Sequence, residues 1–560
     1  MASEIKIDIQ DIDHLGIIAG IVDEIGIVEI IDNELGVHAQ EKVSAGQVVK
    51  AMILNCMGFL SAPLYLFSQF FEGKATEHLI GEGVTAQHLN DSRLGRVLDQ
   101  LYEYGVTLLF VKIASAVVKR FSISVKSGHL DGTSMSVHGK YLKSIVTETG
   151  DAASEDGAED QAEEDPAPVP IRITQGYSRD HRPDLKQFTL CLLTSEDAGI
   201  PLFMKTGDGN ELDQRAFPKV IREFQAQWQG EQPEVYVMDA AFYSEANLSD
   251  CSVSLNWISR VPASLKAAQE LMQSLLPEQF SESDNHKSYR LCSVCSGYAG
   301  IKQRWVVVES EPRREADLKS LSKRIDLACQ DKLKALKRLG DKAFACEADA
   351  LTAAKEFDKT LNYHSLSQLQ VVRKPHYQRP GRPRPGDEST SYSYHIQATL
   401  IENEAVITHY RNQAGRFILA TNLLDEQRWP ANLILQEYKA QQSTERGFRF
   451  LKDPLFFASR VFLKSTKRIM ALAMIMTLAL MVYSLGQRQL RQALDLASAT
   501  VPNQKGKPTA RPTLRWILQC FQSVHLVFLD GVKSLIKLTQ RQRLILQFLG
   551  AASHKYYFLC

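Results

Sequence analysis

Residues 122–139 read SISVKSGHLDGTSMSVHG, and their alternation of polar and apolar side chains predicts a pair of β-strands. Three later apolar runs predict further strands: QFTLCLL (187–193), IPLFMKT (200–206) and VYVMD (235–239). An amphipathic helix is predicted between the last two, over residues 211–228. Strands in a hairpin, followed by a helix and another strand, are typical of an α/β fold.

Helical periodicity is found on both sides of this strand region. In residues 1–117, apolar residues recur at three- and four-residue spacing, which predicts a helical N-terminal domain. Such a domain fits DNA binding and a plain packing unit equally well. Residues 313–342 form a second helical stripe, with ten Lys or Arg against five Asp or Glu. A solvated helix packed by its leucines is favoured there over a phosphate-facing surface.

The overall composition narrows the class of protein. The chain has 560 residues, of which 44% are hydrophobic and 23% charged. This balance indicates a globular protein of several domains and excludes disordered, collagenous and coiled-coil proteins. Basic and acidic residues number 65 each, so the net charge indicates no partner. Nine cysteines are too few for a disulfide scaffold, and no signal peptide is evident, so we expect a cytoplasmic protein with free thiols.

Two segments depart from this balance. Residues 148–170 contain nine acidic residues and no Lys or Arg, which predicts a mobile surface loop. Residues 469–485 form a run of 17 without a charge, slightly short of the about 20 apolar residues that a membrane span needs. Because a polar segment precedes this run directly, a buried core helix is the favoured interpretation, and a membrane span is the alternative.

Two short motifs allow a functional interpretation, but each has a simpler one. The basic segment RKPHYQRPGRPR (373–384) resembles peptides that lie in a DNA minor groove, yet an extended linker explains it as well. Cys292 and Cys295 have the spacing of zinc ligands, and His286 is the nearest further candidate. Because a tetrahedral zinc site needs four ligands, two free thiols are favoured.

Two aspartates are the first candidates for catalysis. Asp131 and Asp239 each lie at or beside the end of an apolar strand, where α/β sheets commonly hold their active sites. Taken alone, each is more often a turn residue or a helix cap. Asp180 and Asp184 are weaker candidates for the first position because neither follows an apolar strand.

A third candidate lies in YKAQQSTERGFRFLK (438–452). A single helix is predicted over about residues 431–451, in which Tyr438, Glu445 and Lys452 share one face because they are seven residues apart. An exposed surface helix explains the same pattern.

These residues together resemble a known family. Asp131, Asp239 and Glu445 resemble the Asp-Asp-Glu triad of DDE transposases. The helix resembles the Tyr-x2-Arg-x3-Glu-x6-Lys signature of the insertion-sequence-four superfamily, matched by Tyr438, Glu445 and Lys452. Gln441 stands where that signature has Arg, so it can donate a hydrogen bond to a phosphate but supplies no charge.

Further segments resemble the same group of bacterial insertion-sequence transposases, so that the likeness covers residues 11 to 490. They are GYSRDHRPDLKQ (176–187), GDGNELD (207–213), MDAAFYS (238–244), ISRVP (258–262) and GRFILATN (415–422).

The resemblance implies an α/β fold with a ribonuclease H-like catalytic core that contains a large insertion and follows a helical N-terminal domain. The implied division of the chain is a helical, DNA-binding domain over 1–117, the first part of the core over 118–245, the insertion over 246–405, the second part of the core over 406–500, and a C-terminal helical tail over 501–560.

It also implies a mechanism. Asp131, Asp239 and Glu445 would hold two Mg²⁺ ions, or Mn²⁺ in vitro, for phosphoryl transfer. The enzyme would cleave transposon-end DNA and join the new 3′-hydroxyl to target DNA. Alternatives are an inactive DNA-binding relic and a ribonuclease H-like nuclease without strand transfer.

The expected partners are double-stranded DNA, as terminal inverted repeats and as target, and a second copy of the chain as a homodimer on DNA. No membrane partner is expected. The implied DNA-binding residues are Tyr438, Gln441, Lys452, Arg446 and Arg449.

Overall fold

The computed structural model describes residues 7–59, 66–138, 169–251, 255–284, 287–378, 388–453, 463–529, 532–536 and 538–557. The chain divides into two compact units. The first unit comprises Met1–Ser259 and Gln436–Cys560, and the second comprises Arg260–Leu435. The acidic segment 148–170 lies outside the described residues except for its last two.

Helices dominate the N-terminal part of the first unit, as the periodicity of residues 1–117 predicts. A short strand, β1 (Ile7–Asp11), precedes them. The helix α3 begins at Ala45 because Ser44 and Gln47 form a capping box, in which each side chain accepts from the other's backbone N–H. The helices are α1 (Leu15–Ile25), α2 (Ile27–Leu35), α3 (Ala45–Cys56), α4 (Phe67–Phe71), α5 (Thr76–Ile80), α6 (Asp91–Tyr104) and α7 (Val106–Phe121).

The first unit then contributes consecutive strands in the order β4-β3-β2-β5-β6. The strands β4, β3 and β2 pair antiparallel, whereas β2, β5 and β6 pair parallel. Two helices accompany them. The elements are β2 (Ser127–Val137), β3 (Lys186–Ser195), β4 (Pro201–Gly207), α8 (Asp213–Gln227), β5 (Val235–Met238), α9 (Glu245–Cys251) and β6 (Trp257–Arg260).

The predicted strand pair in residues 122–139 is wrong, because this segment forms the single strand β2, which pairs with β3. Its central Gly132 lies within the strand rather than in a turn. A Cβ at Gly132 would lie 2.8 Å from Oδ1 of Asp213, so the glycine allows a close approach of α8.

The long helix α16 (Thr466–Leu496) contains the apolar run 469–485 and packs against α1, α3, α6, α7 and β4. Among the described residues it is the one helix long and apolar enough to cross a membrane by itself, but 83% of its apolar window is buried inside the protein. The pair α6 and α7 passes the same test only as a span bent by 86°. The burial of α16 is what the core-helix interpretation requires.

The C-terminal region is not helical throughout, contrary to the predicted tail. Its strand β15 pairs antiparallel with β1 and with β16, so the two ends of the first unit share a sheet. The elements are β13 (Val501–Pro502), β14 (Pro508–Thr509), α17 (Leu514–Gln519), β15 (His525–Leu529), β16 (Val532–Leu535), α18 (Gln540–Leu546) and α19 (Ala551–His554).

The second unit has antiparallel strands in the order β12-β9-β8-β7, and a separate hairpin of β10 and β11. The long helix α11 buries Leu321, Ile325 and Leu336, as its leucine stripe predicts. The elements are α10 (Lys266–Ser274), β7 (Ser281–Glu282), β8 (Tyr289–Ser296), β9 (Gln303–Ser310), α11 (Glu311–Asp341), α12 (Glu347–Lys359), β10 (His364–His376), β11 (Ser391–Glu402), α13 (Glu404–Gln413) and β12 (Arg416–Thr421).

Two motifs of the second unit can now be placed. The first residues of the basic segment 373–384 end strand β10 instead of forming a linker, and residues 379–387 lie outside the described ones. Cys292 is half-buried and Cys295 is exposed, and both are free thiols.

Candidate active site

The pairing of β2 with β5 brings the two candidate aspartates together. These strands are parallel, and Leu130 pairs with Met238. Asp131 directly follows Leu130 and Asp239 directly follows Met238, so the two aspartates stand next to each other. Asp239 directly follows β5, as predicted, whereas Asp131 lies inside β2, which continues to Val137 beside β3.

Both carboxylates are half-buried and each accepts a backbone hydrogen bond. Oδ1 of Asp131 accepts from the Gly132 N–H at 2.8 Å, and Oδ1 of Asp239 accepts from the Ala241 N–H at 2.9 Å. Burial, with the nearby Asp239 carboxylate, raises the pKa of Asp131 to about 7. Burial also raises the pKa of Asp239. Desolvated carboxylates that repel one another in this way favour a cation between them.

A third half-buried carboxylate, Asp213 at the start of α8, lies beside this site and was missed by sequence reasoning. Burial raises its pKa, and its charge in turn raises the pKa values of Asp131 and Asp239. Arg179 partly neutralises the group. Its guanidinium donates to Asp213 and to the Gly132 carbonyl, and Nη1 lies 3.9 Å from Oδ1 of Asp131.

A signal for this pair was present in the sequence. Arg179 lies in GYSRDHRPDLKQ and Asp213 in GDGNELD, two of the segments that resemble transposases. The candidates for catalysis were chosen because they lie at or beside the end of an apolar strand. Neither Arg179 nor Asp213 follows such a strand, so neither was chosen.

The third predicted catalytic residue, Glu445, lies on a helix that packs against β2. Neighbours of Glu445 anchor this helix, since Thr444 shares a 2.7 Å hydroxyl hydrogen bond with Thr194 and is fully buried. The Glu445 side chain itself is exposed. Within the described part of the chain, no three His, Cys, Asp or Glu side chains lie close enough together to hold a metal ion. The structure thus brings together Asp131 and Asp239 but does not add Glu445 to them.

The predicted single helix over residues 431–451 is wrong, because it is two helices, α14 (Ala431–Ala440) and α15 (Gln442–Leu451). At the junction the hydrogen bonds span three residues, since the Gln441 N–H donates to Tyr438 and the Thr444 N–H donates to Gln441. The Glu445 N–H also donates to the Gln441 carbonyl, so the four-residue pattern of the α-helix resumes directly after this turn.

The remaining predicted DNA-binding residues have different surroundings. Gln441 is buried, and its side-chain amide donates to the Leu130 carbonyl at 3.3 Å. Nζ of Lys452 contacts both carboxylate oxygens of Asp180, at 2.8 and 2.9 Å. Arg446 and Arg449 are exposed on α15, and Tyr438 is half-buried.

Residues 128–482, which include all three predicted catalytic residues, match the sequence profile of the family described as Transposase DDE domain. The chain belongs to the Transposase DDE domain family. In this DDE transposase family member, residues 7–115 also match a domain of unknown function (DUF4277). No curated protein matches the chain.

Among solved structures, this chain has a distant likeness to the piggyBac transposase in the cryo-EM structure of its synaptic complex with hairpin DNA. The identity is 9% and the TM-score 0.36, over 98% of this chain and 83% of that chain. A likeness this low supports no statement about the fold.

Proposed function

We propose that this member of the DDE transposase family belongs to the insertion-sequence-four superfamily, cleaves DNA at the ends of its own element and joins the 3′-hydroxyl to target DNA. The observation that carries the proposal is the pairing of Leu130 with Met238, since it sets the half-buried Asp131 and Asp239 side by side.

The strand arrangement supports a ribonuclease H-like core. In such a core two aspartates lie on neighbouring strands and a later helix brings the glutamate. Here β2 and β5 are neighbours, and α15 packs against β2. The second unit, Arg260–Leu435, stands in the chain between β6 and α15, where the superfamily has its insertion.

The donor set fits a divalent cation. Asp131 and Asp239 offer hard oxygen ligands that are desolvated and mutually repelling, so a cation would relieve an unfavourable arrangement. We propose that they hold two Mg²⁺ ions, or Mn²⁺ in vitro, and that Glu445, which the described structure does not group with them, joins them when DNA and metal are bound. Metal ions bound there would supply an activated water or 3′-hydroxyl and charge stabilisation of the leaving oxygen.

The other residues of the site position these carboxylates and the DNA. The Arg179 guanidinium holds Asp213 and the Gly132 carbonyl, and so fixes the backbone next to Asp131. Tyr438, Lys452, Arg446 and Arg449 would contact the DNA backbone. For Gln441, which is bonded to the Leu130 carbonyl, a supporting role under Asp131 fits its position better than a contact with phosphate.

The proposed partners are the terminal inverted repeats and target DNA, bound by a homodimer in the cytoplasm. The helical N-terminal residues would bind the repeats. The expected source of those repeats is the DNA on each side of the coding sequence.

The test uses a labelled duplex made from that flanking DNA, with a target plasmid and Mg²⁺. The wild type should nick the duplex and join it to the plasmid. Asp131→Ala, Asp239→Ala and Glu445→Ala should each abolish nicking and retain duplex binding, because affinity comes mainly from Lys and Arg. Asp250→Ala, on the exposed surface of α9, is the matched control and should stay active.

Other outcomes separate the alternatives. Nicking without joined products would indicate a nuclease, and binding without nicking by the wild type would indicate a relic. Full activity of any one of the three alanine variants would remove that residue from the triad.

A further inference from the structure

A cavity of about 690 Å³ lies in the first unit beside the helix that carries Glu445. Its walls come from α15, from α16, from residues 196–198 after β3, and from the segment before α17. This volume is within the range of small-molecule sites, about 300–1,000 Å³. The cavity is therefore large enough for a nucleotide.

The acidic residues of the cavity are already occupied. Glu196 accepts from the Ser124 hydroxyl and from the backbone N–H groups of Lys126 and Ser127. Asp197 pairs with Arg488 at 2.7 Å. Arg488 therefore neutralises the charge of Asp197, whereas Glu196, which is held by neutral donors, keeps its negative charge.

Two arginines of the lining keep unmatched positive charge. Arg446 has no carboxylate partner among the residues that the structure describes. Arg491 is half-buried, and its Nε donates a hydrogen bond to the Pro512 carbonyl at 3.0 Å. Burial and the nearby Arg511 and Arg446 guanidinium groups lower the pKa of Arg491. A phosphate would relieve this repulsion between like charges.

A further arginine and two aromatic rings also line the cavity. Arg511 lies 3.3 Å from Asp495. The rings of Phe450 and Tyr483 are stacked at 4.5 Å between centroids, with an interplanar angle of 33°, and both border the cavity. Arginines beside aromatic rings are the combination with which proteins bind the phosphates and bases of a nucleic-acid strand.

We propose that this cavity binds a backbone phosphate of a DNA strand, held between Arg446 and Arg491 with support from Arg511. The proposal rests on the proposed function and deepens it. Glu445 is not among the residues that line the cavity, so a phosphate held there would lie on another face of α15 from the proposed catalytic glutamate. A free phosphate compound offers the same chemistry, and the experiment separates the two sources.

The experiment measures binding of the flanking-DNA duplex by fluorescence anisotropy at several salt concentrations, in the cleavage-silent Asp239→Ala protein. Adding Arg491→Gln should weaken binding several-fold and lower the log–log salt slope by about 0.9, the value for one phosphate contact. Arg491→Lys should restore much of the slope, since it retains the charge. Arg222→Gln, an exposed arginine of α8, is the matched control and should change neither quantity.

Two further measurements separate the loss of a phosphate contact from a folding defect, and a DNA phosphate from a free phosphate compound. Arg446→Gln changes an exposed residue and should weaken binding like Arg491→Gln, even if the latter perturbs folding. Calorimetry with inorganic pyrophosphate shows whether a small phosphate compound binds the wild type and not Arg491→Gln. Pyrophosphate binding with DNA affinity unaffected by either variant would overturn the assignment to DNA.

Folded Arg446→Gln and Arg491→Gln proteins with unchanged affinity, slope and pyrophosphate binding would overturn the cavity as a phosphate site. That result leaves the proposed function standing if Asp239→Ala still abolishes nicking. Conversely, arginine-dependent binding by a wild type that never nicks DNA would overturn the cleavage proposal and retain the cavity.

Discussion

Gln441 is 6% exposed and donates its side-chain hydrogen bond to the residue before Asp131. Gln441→Arg would place a larger, charged group in this buried position and remove the bond to the Leu130 carbonyl. We expect the free energy of unfolding to fall by at least about 1–3 kcal/mol. Gln442→Arg, at the exposed neighbouring position, should change it by no more than about 0.5 kcal/mol. Denaturant titration of both variants measures the difference.

A stable Gln441→Arg protein would contradict this expectation. If the same protein also bound the flanking-DNA duplex with a salt slope steeper by about one, the side chain at 441 would face a DNA phosphate in the complex, as the family signature implies.

The raised pKa of Asp131 predicts that the folded protein becomes less stable as the pH rises. Its pKa is about 7 in the folded protein and near 4 when unfolded. Between these values the folded state binds more protons, so stability should fall as pH rises from 4 to 7 and level off above 7. The loss is on the order of a few kcal/mol. The pKa values of Asp239 and Asp213 are raised as well, so they add a loss of the same sign.

Asp131→Asn should remove its share of this loss and make the protein more stable than the wild type at pH 8 in EDTA, with little difference at pH 4. Denaturant unfolding at pH 4, 6 and 8 tests this. Equal pH dependence in the two proteins would show that the Asp131 carboxyl group titrates normally.

At the scale of one element, α16 offers a matched pair of leucines. Leu478 is fully buried, whereas Leu496 at the end of the same helix is 89% exposed. Leu478→Ala should cost about 2–5 kcal/mol because it leaves a cavity in the core. Leu496→Ala should cost no more than about 0.5 kcal/mol. Similar small effects of both substitutions on denaturant unfolding would mean that α16 does not pack inside the first unit.

The division between α14 and α15 is also an effect at this scale. The spacing of Tyr438, Glu445 and Lys452 suits one continuous helix, and neither proline nor glycine stands at the break itself, since Gly447 lies six residues further along. The tighter turn at Gln441 coincides with the side-chain bond from Gln441 to β2. The break coincides with a contact to a strand more than 300 residues earlier in the chain. The periodicity of residues 431–451 contains no sign of that contact.

At the scale of the whole chain, the two ends of the first unit meet through a buried ionic contact. Nζ of Lys50, whose residue is 3% exposed, lies 2.6 Å from Oδ1 of Asp23 and 2.8 Å from the hydroxyl of Tyr556. The Tyr556 hydroxyl also donates to Oδ2 of Asp23. Burial lowers the pKa of Lys50 although Asp23 opposes this, so the pair depends on its remaining hydrogen bonds.

Tyr556→Phe should therefore lower the free energy of unfolding by about 1–3 kcal/mol, because it leaves a buried ammonium group with one partner fewer. Tyr177→Phe, at a side chain that is 81% exposed, is the control and should have little effect. Thermal unfolding of both variants checks this, and an unaffected Tyr556→Phe protein would show that the C-terminus contributes no stability through this contact.

The sequence by itself determined those strands and helices whose burial follows from the residue pattern of the segment itself. Continuous apolar runs predicted β3, β4 and β5, the uncharged run 469–485 predicted the core helix α16, and the amphipathic pattern of residues 211–228 predicted α8. Asp239 was placed for the same reason, as a polar residue that ends a buried strand. The resemblance to transposases, carried by longer segments, predicted the family.

Only the tertiary structure decided which distant residues would meet. Residues 122–139 form one strand, and not the predicted pair, because they pair with β3, and residues 525–529 form strand β15 by pairing with β1. Arg179 and Asp213 belong to the site because α8 lies close to β2. Each of these outcomes depends on a partner far away in the chain, and a pattern that repeats every two to four residues has no information about such a partner.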